Sequence, residues 1–77
     1  MSTVLAQVHG FDVRIYSRDH EPPHVHCWKQ RSELVVNLEP ISVRENNRMS
    51  PADARRALSI VAEHQSFLLA EWQRIHP

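Results

Sequence analysis

The sequence predicts an α+β fold: an antiparallel meander of about four short strands packed on one long C-terminal helix. Three observations lead there. Residues 11–17, FDVRIYS, alternate apolar Phe11, Val13 and Ile15 with Asp12, Arg14 and Tyr16, the period of a half-buried strand. Short apolar-rich runs then follow one another across brief breaks at 24–29, 33–38 and 41–45. The last third of the chain carries apolar residues at spacings of three and four behind a helix-start signal.

Taken in order, residues 1–9 read as a leading strand or an irregular start, and residues 11–17 as a strand. Residues 18–23 form a turn, because Pro22 and Pro23 restrict their neighbours and remove amide donors. HVHCWK (24–29) resumes as a strand. Gln30 and Arg31 are a poor turn by composition, yet a strand restarts at ELVVNL (33–38), and ISVRE (41–45) follows Pro40 as another. NNRM is loop. The helix is expected over about 51–75, with Ser50 as N-cap, Pro51 at the first helical position and Asp53 placed to close the cap. Its apolar stripe runs Ala54, Ala57, Leu58, Val61, Leu68, Trp72 and Ile75, opposite Arg55, Arg56, Ser59, Glu63, Ser66 and Gln73. His64 and Gln65 interrupt the apolar side.

A chain of 77 residues holds one domain, spanning 1–77. Its size leaves it marginal alone, so a second copy or a partner chain would add stability. Cys27 is the only cysteine, which suits a reducing cytoplasm. Neither a signal peptide nor a membrane span is expected from the hydropathy pattern. Nine Lys+Arg balance nine Asp+Glu, so charge alone does not make this a bulk nucleic-acid binder. Eight of the nine cations are arginine, the residue suited to bidentate contacts with carboxylates and phosphates.

The densest chemistry lies in DHEPPHVH, residues 19–26, which holds three of the six histidines. Its HEPPH segment fits the H-E-x-x-H pattern of zinc proteases. That pattern requires a helix, so that both histidines project from one face. Two prolines between them exclude this, and the protease reading fails. A different metal pattern survives, because His24 and His26 flank Val25 and project together from a strand. Zinc could bind there if a third ligand arrived from Asp19, His20, Glu21 or His64.

The alternation sorts the sheet into two faces. Phe11, Val13, Ile15, Val25, Cys27, Leu34, Val36, Leu38, Ile41 and Val43 form the layer expected to meet the helix. Asp12, Arg14, Tyr16, His24, His26, Trp28, Glu33, Val35, Asn37 and Arg44 take the other. Tyr, Trp and Arg are enriched where proteins bind partners, and aromatics on an open sheet also stack RNA bases. Cross-strand pairing of Tyr16 and Trp28 is the plain alternative. A slip of one residue would turn the histidines inward toward His64, beside Ile60 and Phe67. For acid–base chemistry, His20, His24 and His26 are candidate catalytic groups, with Arg14 and Arg18 able to hold a phosphate. Cys27 falls in the expected core and reads as a small apolar filler.

The block IYSRDHEPPHVHCW resembles the signature of a small bacterial family, domain of unknown function 4160. The segment RRALSIVAEHQSFLLAEWQ resembles its C-terminal part, and the likeness covers about residues 10–73. Several members carry Phe at the position of Val25. The resemblance implies a small cytoplasmic protein whose gene stands beside another small gene, and hence a component of a toxin–antitoxin-like module. It therefore implies a protein partner encoded next door, or a homodimer. The residues themselves also admit a metal-independent, ribonuclease-like phosphodiesterase, or a metal-binding module through His24 and His26. On any of these readings Arg14, Tyr16, Arg18, Asp19, Glu21, Trp28 and His64 are the candidate binding residues.

Overall fold

The structure is a computed structural model and describes residues 2–77. Five strands form one antiparallel sheet in sequential order: β1 (Ser2–Val8), β2 (Phe11–Ile15), β3 (His24–Lys29), β4 (Ser32–Leu38) and β5 (Ile41–Asn47). Two helices follow, α1 (Pro51–Glu63) and α2 (Gln65–Ile75). The α+β meander is as expected. Two corrections apply: there are five strands rather than four, and the C-terminal helix is two segments.

The added strand is β1. Val8 and Phe11 are partners in the β1–β2 ladder, so His9 and Gly10 make a two-residue turn, with φ of 51° and 82°. Positive φ at both central positions is what a type I′ hairpin turn needs, and its twist suits flanking strands. Gly10 supplies it without steric cost. Gln30, with φ of 54°, opens the tight β3–β4 turn between the partners Lys29 and Ser32.

The single helix fails at His64, which has φ −113° and ψ 20°. There both the backbone N–H and ring Nδ1 of His64 face the Ile60 carbonyl, at 3.2 and 2.9 Å. A side chain that competes for a helix carbonyl loosens the ladder at that turn. The restart lets Gln65 donate to the Leu38 carbonyl at 2.6 Å, tying α2 to the end of β4. The start of α1 is as expected, with Ser50 Oγ accepting from the Asp53 amide at 3.1 Å. The Asp53 carboxylate closes an ion pair with Lys29 at 3.0 Å instead of the cap.

Phe11, Val13, Ile15, Val25, Cys27, Leu34, Val36 and Leu38 are fully buried and join Ala57, Ile60, Val61, Leu68 and Trp72 in one core. Register explains the layer: Val13 faces Cys27, Cys27 faces Leu34, and Val25 faces Val36. Val43 departs from expectation and is 46% exposed, because β5 is an edge strand with nothing packed beyond it. The register of β4 with β5 also shifts between Val35 and Val36, leaving Arg44 as an extra residue on β5. On the second face Val35 is buried, so that face is closed at its centre rather than open throughout. No helix among the described residues is long and apolar enough to cross a membrane.

Candidate metal centre

The double proline launches β3 directly, so His24 is its first residue and His26 its third. Alternation puts both imidazoles on one side, with ring centres 5.3 Å apart. The preceding loop folds back on itself through the Asp19 amide and the Tyr16 carbonyl, 3.1 Å apart, and this aims the Asp19 carboxylate at the two rings. Asp19 Oδ2 lies 2.9 Å from His26 Nε2 and 3.3 Å from His24 Nε2. Asp19, His24 and His26 thus converge, each offering one ligand atom within 4.8 Å of the others.

The outer nitrogens are held as well. His26 Nδ1 meets Glu33 Oε2 of β4 at 2.7 Å, and Asn47 Nδ2 donates to the other Glu33 oxygen at 2.9 Å. Carboxylates thus face both nitrogens of the His26 ring. His24 Nδ1 lies 3.0 Å from the Pro22 carbonyl and 3.1 Å from Arg44 Nη1. These neighbours make opposite demands: the carbonyl wants a proton on Nδ1, whereas the guanidinium wants a lone pair there.

His24 is only 4% exposed, with its ring centre 5.2 Å from that of Trp72 in α2. Burial holds its pKa below the usual imidazole range, and the Arg44 charge pushes the same way. The Pro22 carbonyl and the Asp19 carboxylate oppose this less strongly. A lowered folded-state pKa means that the unfolded chain takes up this proton first as pH falls, so the effect is absent well above pH ~6.5 and destabilises below it. Urea midpoints measured at pH 7.5 and 5.5 are therefore expected to fall further for the wild type than for His24→Gln. Burial pushes the Cys27 thiol up to about 12, with the Glu33 charge adding to the effect, so the thiolate form of a nucleophile is absent near neutrality.

The remaining sequence candidates are dispersed. Tyr16 lies against the site, its ring centre 4.4 Å from that of His26, and accepts from Trp28 Nε1 at 3.1 Å. Arg14 is the register partner of His26, but its guanidinium turns to Asp12 at 3.7 Å and to the Trp28 ring at 5.6 Å. Glu21 accepts from Trp72 Nε1 at 3.2 Å. Arg18 and His20 are exposed. His64 sits at the helix junction with its Nδ1 on the Ile60 carbonyl. The structure therefore brings together Asp19, His24, His26 and Tyr16, and leaves His20 and His64 outside the imidazole cluster.

Four neighbours fall outside the candidates drawn from sequence: Glu33, Arg44, Trp72 and His76. Glu33 and Arg44 were legible only as members of the polar face. Trp72 looks like any core residue on a helical stripe. His76 stacks on Trp72 with ring centres 3.8 Å apart, and its two nitrogens face the Trp72 and Tyr16 carbonyls at 2.9 and 3.0 Å. It thereby ties the end of α2 to the end of β2.

A family model described as a domain of unknown function (DUF4160) matches residues 10–73. The chain belongs to this family. The match takes in the whole cluster, from Tyr16 through Trp72. Comparison with curated proteins and with solved structures returned no match. The DUF4160 description names no activity.

Proposed function

We propose that this protein binds a divalent transition metal, zinc or an ion of similar preference, through His24 Nε2, His26 Nε2 and Asp19 Oδ2. One observation carries the reading. Both Nε2 atoms point at a single carboxylate oxygen, while each Nδ1 is backed by an oxygen acceptor, Glu33 for His26 and the Pro22 carbonyl for His24. Metal-bound histidines have this pattern, because the outer N–H⋯O contact fixes the ring and raises its basicity. The spacing suits the role: bonds of ~2.1 Å place tetrahedral ligands ~3.4 Å apart, against 2.9 and 3.3 Å here. Small outward movements would admit the ion.

Three protein ligands leave a position for water or substrate, as catalytic zinc sites do and closed structural ones do not. Such an ion would act as a Lewis acid or supply a hydroxide near neutral pH. The metal-independent phosphodiesterase has less support, since His20 and Arg18 stand apart from the cluster. A toxin–antitoxin-like module with a protein partner, in a bacterial cytoplasm, rests on the family likeness.

The test is zinc and cobalt titration of protein purified without a histidine tag, followed by thermal melting. A ligand at a hundredfold excess over its Kd stabilises by about 2.7 kcal/mol. For a chain of this size that raises Tm by about 10–20 °C. A metal-free sample whose melting ignores both ions sinks the proposal.

A further inference from the structure

We propose that Arg44 is an antagonist of metal binding at this site, acting by holding His24 in the wrong tautomer; the inference rests on the metal-binding reading above. The geometry sets two partners, Arg44 and the Pro22 carbonyl, against each other at one nitrogen. Arg44 Nη1 lies 3.1 Å from His24 Nδ1, and a guanidinium can only donate. In that contact Nδ1 is a lone pair, and Nε2 carries the proton and donates to Asp19 at 3.3 Å. A metal needs the reverse, with the Nε2 lone pair on the ion and the proton on Nδ1, where it donates to the Pro22 carbonyl at 3.0 Å. No proton is gained or lost by the ring; it changes nitrogen. Arg44 and the ion are thus mutually exclusive partners of one imidazole.

The fold equips Arg44 to leave. It is the extra residue at the register shift of an edge strand, and it is exposed. Its other nitrogen, Nη2, already lies 3.5 Å from the Pro22 carbonyl, an oxygen with two lone pairs that can accept from both Arg44 and His24. The guanidinium can therefore pivot off the ring and keep that contact. Its positive charge would still oppose an incoming cation, so both effects weaken binding in the same direction. Metal uptake then releases a guanidinium at the surface beside the loaded site.

The experiment compares wild type, Arg44→Met and Arg44→Lys, untagged, in zinc competition against a chromophoric chelator. Methionine removes donor and charge, and a hydrogen bond to a charged group is strong enough for a shift of about tenfold or more. Arg44→Met is expected to bind zinc that much more tightly, and Arg44→Lys to stay near wild type. Nitrogen-15 spectra of the metal-free wild type give a second readout, expected to show the His24 proton on Nε2, moving to Nδ1 in Arg44→Met or on adding zinc. Equal or weaker zinc affinity in Arg44→Met, or a metal-free wild type with the proton on Nδ1, overturns the role of Arg44 alone. Absence of zinc binding in every variant overturns it together with the metal-binding reading.

Discussion

Replacing Trp72 with alanine is expected to cost about 3–5 kcal/mol of stability, the range for deleting a buried aromatic side chain. A chain of 77 residues has only about 4–11 kcal/mol in total, so this single change should leave much of the protein unfolded under mild denaturant. The residue is 1% exposed and joins three parts of the molecule. Its indole N–H donates to Glu21 in the loop, one face stacks on His76, and its ring approaches His24 at 5.2 Å. Loss of the ring removes apolar burial, opens a cavity in α2 and frees the loop that carries Asp19. Chemical denaturation measures the effect. Glu21→Gln keeps an oxygen acceptor for the indole and should cost about 1 kcal/mol or less. An alanine variant as stable as Glu21→Gln would show that the core does not depend on this side chain.

The second large effect concerns the ligands. His26→Ala and Asp19→Ala are each expected to lower zinc affinity by about a hundredfold or more. Removing one of three ligands takes away a direct bond to the ion, which exceeds the ~10–100-fold typical of losing an outer-shell partner. Glu33→Gln keeps an oxygen acceptor but no charge beside His26 Nδ1, and belongs in that lower range. His20→Ala, at an exposed position outside the cluster, should leave binding unchanged. Isothermal titration or the cobalt absorption band ranks the series. If His20→Ala weakened binding as much as His26→Ala, the ligand set would be different from the one proposed.

The strand face and the core layer could be read from letters alone because alternation is a strong signal. Phe11, Val13, Ile15, Val25 and Cys27 announce their side of the sheet, and the histidines alternate with them, although His24 is itself buried beside Trp72 of the core. Strand β1 was ambiguous because its alternation is poor, and its turn uses His9–Gly10 rather than the usual asparagine–glycine. The helix break was hidden in a single residue. His64 and Gln65 register as blemishes on an apolar stripe, and only their contacts with Ile60 and Leu38 show that they divide it. At the candidate site, the spacing of His24 and His26 is local and therefore legible. Asp19 was one of four donors that spacing left open. Glu33 and Arg44 arrive from β4 and β5, and their reach depends on hairpin register and on one extra residue in β5.

That extra residue has a wider consequence. The ladders joining β2 to β3 and β3 to β4 run without a register shift, whereas the outer ones, β1 with β2 and β4 with β5, both contain shifts. Irregular outer strands are poor templates for a foreign strand, because their free amides and carbonyls do not form a straight row. A small protein with a continuous apolar sheet is exposed to open-ended fibre growth. Here the kinks at both rims oppose it, and the one on β5 does so at the same position that presents a guanidinium to His24.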